Sequence, residues 1–331
     1  MSFRIGVVGC GSIATHYHGP AYVRYAATHD DVELAACCDL DEARARGFAA
    51  RFGFGRPYSD LDAMLDHERP DAVCLLVKEH HTCEVACRIL EKGYPLLTEK
   101  PPGRTVEEVD RMIAAANSTG VPTQVAFNRR FAPLARELRH LLDTRPEPGD
   151  VQHVRYEVVR VGRKDADFSL TAIHGIDAAR FLAGSDYAAV RFHYQALPEH
   201  GPTVANLYMD CQFSSGATAS LSFVPCAGVD VERGVVHAGD STFFLDVPLW
   251  GAADGTGRLR HYRAGSLAYD VGGADLADGQ TDYELMGFYA ENASFFDDLR
   301  AGRRPTADLR SARQSVAVAE QMRLRRAEYV A

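Results

Sequence analysis

The chain has no block of basic residues and no basic stripe interleaved with aromatics. Its 36 Lys and Arg stand against 45 Asp and Glu, a formal charge of −9, which argues against a nucleic-acid partner. Its longest apolar runs have the length of a strand, which excludes a helical membrane span. The N-terminus is a fold-forming apolar run with one arginine and lacks the pattern of a signal peptide. No internal repeat is present. The eight cysteines, Cys10, Cys37, Cys38, Cys74, Cys83, Cys87, Cys211 and Cys226, include no Cys-x-x-Cys pair. Most sit in apolar strand-like runs and read as small buried hydrophobes of a reducing, cytoplasmic protein. His80, His81, Cys83 and Cys87 lie near one another, but Cys83 and Cys87 have the i, i+4 spacing of one helix face. No metal site is expected.

What is present is a chain of 331 residues, 46% of them apolar, enough for two domains at ~150 residues each. The stretch Phe3-Arg4-Ile5-Gly6-Val7-Val8-Gly9-Cys10-Gly11-Ser12-Ile13-Ala14 reads as a buried strand, a glycine turn and the start of a helix. Gly9 permits the tight turn, Gly11 lets the backbone approach a pyrophosphate, and Ala14 lets helix and strand pack closely. The N–H groups about Ser12 and Ile13, at the positive end of the helix, are suited to phosphate. A second strand, Val32 to Cys38, ends in Asp39. This is a little beyond the ~20 residues typical of the ribose-binding acid, so the first helix is long or is followed by a loop. A carboxylate there accepts hydrogen bonds from a ribose 2′-OH and repels a 2′-phosphate, favouring NAD over NADP.

Strands and helices then alternate. Helices are expected at Asp41–Phe52, Leu61–Asp66, His81–Lys92 and from Thr105 to Asn117, where Thr105 and Glu108 have capping-box spacing. Strands are expected at Asp71–Val77, Leu96–Thr98 and Pro122–Phe127. This alternation predicts a doubly wound parallel sheet. Ligands of such sheets lie outside the carboxyl ends of the strands, where Gly9, Asp39, Val77, Glu99, Lys100 and Asn128 fall, with Lys78 and His81 just beyond. A further helix runs from Asn128 to about Leu142. Past Arg145–Gly149, the candidate boundary by composition, the pattern changes. Leu207, Met209, Cys211 and Phe213 alternate with polar residues, as do Ala217, Ala219, Leu221 and Phe223, the period of an antiparallel sheet with one polar face. More strands are expected at 151–161, 189–196, 231–238 and 242–247. Helices are expected at 171–183, 283–300 and 309–325, and a glycine- and aspartate-rich mobile loop at 270–281. The domains are set at 1–127 for dinucleotide and 128–331 for substrate and oligomerisation, with the last helices packing back on the first domain.

Two residues could carry chemistry. Lys100 ends a strand beside Glu99 and before a proline that holds it extended. It could polarise a substrate oxygen, act as a base if burial lowers its pKa, or be a solvated strand-end lysine. His174, with Asp177 at i+3 on the same helical face, could relay a proton or be satisfied in a core. Arg129, Arg130, Arg160, Arg163 and Lys164 could reach an anionic substrate or form a solvated rim.

These residues resemble the Gfo/Idh/MocA group of glucose–fructose oxidoreductase, inositol dehydrogenase and rhizopine catabolism, over almost the whole chain. The resemblance rests on the Gly9–Ala14 fingerprint, Glu99-Lys100-Pro101, Asn128-Arg129-Arg130-Phe131-Ala132-Pro133, and Ile173-His174-Gly175-Ile176-Asp177 followed by a helix ending in Leu182-Ala183-Gly184. It implies an N-terminal Rossmann domain of α/β class and a C-terminal α+β domain with an open, largely antiparallel sheet. It implies hydride transfer between NAD(P) and a hydroxyl or ketone carbon of a sugar, cyclitol or related polyol, and homodimers or homotetramers formed through the C-terminal sheet. Lys100 and His174 take the roles argued above, and Lys100, Arg129, Arg130, His174 and Asp177 border the substrate. Two departures stand out. Leu170 occupies the place of the family's proton-assisting Asp, and Val77-Lys78 replaces its Thr-Pro beside the nicotinamide. A non-catalytic dinucleotide sensor, or an NADPH-dependent ketosugar reductase with an atypical site, therefore remain alternatives.

Overall fold

The computed structural model describes residues 2–144, 151–277 and 279–331. The chain divides into two units. The first runs to Phe127 and takes in Phe288–Val316; the second is Asn128–Gly287 with Ala317–Ala331. The composition boundary at Arg145–Gly149 lies outside the described residues.

The first unit is built on six parallel strands in the order Arg56–Tyr58, Val32–Cys38, Phe3–Val8, Ala72–Leu75, Leu96–Glu99 and Thr123–Ala126. This is the expected doubly wound sheet. Its central strands are apolar on both faces: Ile5, Val7, Ala72, Val73, Cys74, Leu96 and Leu97 are fully buried. Three of its helices begin where a side chain accepts a free N–H group. Asp41 caps Glu42–Phe52, Asp60 caps Leu61–Glu68, and Thr105 accepts from the Glu108 N–H at 3.2 Å. The Glu108 carboxylate does not close the expected reciprocal box; it turns instead to the Arg104 N–H. The first helix spans residues 12–27 and contains a π-helical turn, Ala14–His18, so the long first helix is found. The strand Arg56–Tyr58 was not expected. It is three residues long, contains a proline and lies at the sheet edge, where a missing donor is tolerated.

Among the described residues the second unit carries nine strands in the order Ser266–Gly272, Arg258–Arg263, Ser241–Asp246, Val231–Ala238, Val151–Val159, Thr218–Val224, Ala205–Phe213, Tyr187–Ala196 and Glu328–Val330. The pair Val151–Val159 and Thr218–Val224 is parallel and its neighbours are antiparallel. The alternation read from the sequence is the burial pattern: Leu207, Met209, Cys211 and Phe213 are buried while Asp210 and Gln212 are exposed. Helix Ser169–Ala183 packs on the buried face. A methyl group at Gly175 would stand 2.9 Å from Phe223 and from Val158, so only glycine allows this approach.

Three expectations need correction. The helix expected from Asn128 is a 3₁₀ turn, Asn128–Phe131, followed by an α-helix, Pro133–Asp143, because Pro133 has no N–H to continue the first turn. The helix expected at 283–300 is two pieces, Asp282–Leu285 and Phe288–Arg300, separated at Gly287, whose φ is +90°. The loop expected at 270–281 contains the end of a strand at Gly272 and a helical turn, Gly273–Leu276; Asp278 lies outside the described residues. The hairpin Arg258–Arg263/Ser266–Gly272 was missed. Its strands are charged and mostly half-exposed, so they show no clear apolar alternation, and it turns on Ala264 and Gly265, both at positive φ.

Candidate functional site

In the first unit the carboxyl ends of the strands gather most of the nucleotide residues singled out above. The chain leaves Val8 and turns at Gly9, where φ is +95° and a Cβ would come within 2.6 Å of the Leu76 carbonyl oxygen. The next residue, Cys10, donates its backbone N–H to Asp39 Oδ2 at 2.9 Å. Asp39 Oδ1 accepts from the Asp41 N–H at 2.9 Å. The two strand ends are thus tied by the carboxylate expected to meet a ribose. The Arg44 guanidinium lies 3.3 Å from the same carboxylate on a half-exposed arm. A methyl group placed on Gly11 would meet no atom within 4 Å. The backbone there faces open space in front of the helix begun by Ser12 and Ile13, a cradle of the kind a pyrophosphate requires. The donors and the space fit a dinucleotide.

Val77 is half-buried after the strand Ala72–Leu75. Lys78 and His81 are exposed at the start of helix Glu79–Glu91. Glu99 is buried at the end of the strand Leu96–Glu99, and Lys100 is half-buried after it, joined to Pro101 by a cis peptide bond. Glu99 Oε2 accepts the Lys100 backbone N–H at 2.9 Å. Its other oxygen meets Nε2 of His18 at 3.0 Å. Burial alone would raise the Glu99 pKa, but the His18 hydrogen bond and the charge of Lys100 hold it below the usual carboxylate value.

In the second unit, Arg130 and Asp177 form a bidentate pair: Nε to Oδ2 at 2.7 Å and Nη2 to Oδ1 at 2.6 Å. Both side chains are largely buried. His174 is half-buried one turn earlier on the same helix as Asp177. Leu170 sits in the first turn of that helix, and Asp167 is spent on its start, accepting from the Ser169 N–H at 3.1 Å. Asn128 donates to the Met286 carbonyl at 2.9 Å and accepts from Arg129 at 3.0 Å.

Arg129 is turned inward. With Arg160 and Tyr156 it surrounds Glu232, a fully buried carboxylate. Arg129 donates from Nε at 3.1 Å and Nη2 at 2.9 Å, Arg160 from Nη2 at 2.7 Å, and the Tyr156 hydroxyl at 2.7 Å. Burial pushes Glu232 up, and the two guanidiniums overcome it and bring it down to about 2. Of the other cations that might have met an anion, Arg163 is paired with Asp165 at 2.8 Å. His18 and Glu232 were missed by sequence reasoning. A charged residue at an inward position of the strand Val231–Ala238 was the only available sign of Glu232.

Residues 3–127 match the family model GFO_IDH_MocA, described as oxidoreductase family, NAD-binding Rossmann fold. The chain is 32% identical over 199 residues to inositol 2-dehydrogenase 2 of Saccharopolyspora erythraea, covering 58% of this chain and 57% of that protein. It is 27% identical over 323 residues to inositol 2-dehydrogenase of Burkholderia vietnamiensis, covering 91% and 87%. The chain thus spans little more than half the length of the first of these relatives. Among solved structures it shares the fold of levoglucosan dehydrogenase in complex with NADH and levoglucosan, with a TM-score of 0.82, 20% identity and coverage of 100% of this chain and 99% of that one. Among the described residues no helix is long and apolar enough to cross a membrane.

Proposed function

We propose that the chain, whose residues 3–127 match the NAD-binding GFO_IDH_MocA oxidoreductase model, is an NAD-dependent dehydrogenase of an uncharged sugar, cyclitol or related polyol. The observation that carries this reading is the seat made by Gly9, Cys10, Gly11 and Asp39, whose carboxylate is held by the Cys10 N–H at 2.9 Å. A fixed negative charge there accepts the ribose 2′-OH and repels a 2′-phosphate. Gly9, Gly11, Ser12, Ile13 and Asp39 hold the adenosine and pyrophosphate half of the cofactor. Val77, Glu99, Lys100 and Asn128 border its nicotinamide half, with Lys78 and His81 at the rim. The bound nicotinamide supplies or accepts the hydride. Lys100 polarises the substrate oxygen, and His174 takes or returns its proton. The Arg130–Asp177 pair stiffens the helix that carries His174. An uncharged substrate is favoured because Arg129, Arg130 and Arg160 are each matched to a buried carboxylate, and Arg163 is paired with the exposed Asp165. The names of the two inositol dehydrogenase relatives point to the same class. We place the protein in the cytoplasm, consistent with its free buried thiols, and assign oligomer formation to the solvent-facing side of the nine-stranded sheet.

The test is reduction of NAD, followed at 340 nm, with myo-inositol, glucose and methyl glucosides as substrates. Turnover is expected with at least one of them. Lys100→Met is expected to abolish it while NADH still binds in a fluorescence titration. An unchanged kcat in Lys100→Met would overturn the role given to Lys100. Leu170, in the place of the family's Asp, favours a second reading, a dinucleotide-responsive sensor, which predicts NADH binding without turnover of any polyol. Preference for NADPH would favour a ketosugar reductase.

A further inference from the structure

His18 is fully buried and lies in the π-helical turn Ala14–His18, immediately after the glycine turn. A π-turn inserts one residue into the helix and often marks a functional site. Here the side chain it turns inward ends up against Glu99, 81 residues away in sequence. The Asn292 amide nitrogen donates to the Phe288 carbonyl at 2.7 Å, which fixes the amide's orientation, and also meets His18 Nδ1 at 3.0 Å. Nδ1 thus faces the Asn292 amide, whose oxygen lies farther off at 3.4 Å, and Nε2 faces Glu99 Oε1 at 3.0 Å. The second Glu99 oxygen accepts the backbone N–H of Lys100. The result is a chain of contacts from the helix Phe288–Arg300 through His18 to Glu99, a carboxylate on which the backbone N–H of Lys100 also converges. The ring is held edge-on to Phe288 at 5.3 Å and sits 6.0 Å from Tyr22. Burial pushes the Tyr22 phenol and the nearby Cys74 thiol up, so neither contributes a charge.

We propose that His18 is a positioning residue for Lys100, acting through Glu99: it fixes the carboxylate that holds the Lys100 backbone and sets the negative charge beside the ammonium. The proposal rests on the role given to Lys100 above, so its main test does not need turnover. The chain has only four lysines, Lys78, Lys92, Lys100 and Lys164. Reductive ¹³C-methylation of the full-length protein therefore yields four dimethyl-lysine signals, and Lys100→Arg identifies that of Lys100. In His18→Leu the Glu99 carboxylate loses its partner at Oε1, keeps only the Lys100 N–H at Oε2, ionises less readily and supports the ammonium less. The Lys100 titration midpoint is expected to fall by about half a pH unit or more, with Lys78, Lys92 and Lys164 unmoved. His18→Gln, which keeps an N–H donor, is expected to recover toward wild type. Glu99→Gln is expected to reproduce the fall, with no further change in the double variant. An unmoved Lys100 signal in folded His18→Leu, or additive shifts in the double variant, overturns the proposal. If His18→Leu does not fold, His18→Gln and Glu99→Gln decide: Glu99→Gln leaving Lys100 unmoved overturns it. Where a polyol is turned over, His18→Leu is expected to lower kcat about 10–10²-fold with KM and NADH affinity near wild type. Absence of all turnover counts against the dehydrogenase reading alone, because the lysine titration is read without it.

Discussion

Replacing Glu232 by glutamine removes one charge from a site that holds two guanidiniums. Glu232 accepts four hydrogen bonds, from Arg129, Arg160 and Tyr156. Arg129 and Arg160 are each about 5% exposed. The carboxyl is brought from its ordinary 4.5 down to about 2, a separation worth on the order of 3 kcal/mol at ~1.4 kcal/mol per pH unit. The folded state has the lower pKa, so this stabilisation is fully present above about pH 4.5 and is lost as pH falls toward 2. In Glu232→Gln the two guanidiniums remain buried and uncompensated, and breaking a buried ion pair from one side costs about 3–5 kcal/mol. The single tryptophan, Trp250, belongs to the second unit and reports its unfolding by fluorescence. At a urea slope of about 2 kcal/mol/M, the midpoint of Glu232→Gln at pH 7 is expected to fall by about 2 M. The gap to wild type should narrow below pH 4.5. The triple variant Arg129→Met, Arg160→Met, Glu232→Leu should lie closer to wild type than the single one, because no charge is left buried. A pH 7 loss under about 1 kcal/mol in Glu232→Gln would refute the reasoning.

His174→Ala is expected to lower kcat by about 10²–10⁴-fold, the range of general acid–base groups; a change under about threefold would assign His174 to packing alone. Asp39→Ala should raise the relative affinity for NADPH over NADH by about tenfold or more in parallel fluorescence titrations, since it removes the charge that repels a 2′-phosphate; an unchanged ratio would detach Asp39 from the ribose. Gly175→Ala forces a methyl group to within 2.9 Å of Phe223 and Val158 and should cost about 1–3 kcal/mol by the same Trp250 melt.

The first unit was legible because its strands are buried on both faces and read as apolar runs. Its helices open at Asp41, Asp60 and Thr105, whose caps the structure contains. The strand Val32–Cys38 falls where the sequence placed it, and with it Asp39. The second sheet was legible where one face is polar, as in Ala205–Phe213, and illegible in the charged hairpin Arg258–Gly272. The π-turn at Ala14–His18 has no local signature. His18 and Glu232 escaped for one reason: each owes its role to partners far along the chain, 81 residues for His18 to Glu99 and 103 for Glu232 to Arg129. The cations from Arg129 to Lys164 could be read as an anion site or, more readily, as a solvated rim. Only the carboxylates of Glu232, Asp177 and Asp165 showed that most of their charge is already matched.

Hydride transfer between nicotinamide and a sugar or polyol carbon can be followed by isotope transfer. The wild-type protein is incubated with NADH carrying deuterium at C4 and with inosose and ketosugar acceptors, and the alcohol products are examined by mass spectrometry. The account predicts deuterium on the former carbonyl carbon with wild type and none with Lys100→Met. NADH bound at the Asp39 seat with no deuterium reaching any acceptor would contradict it.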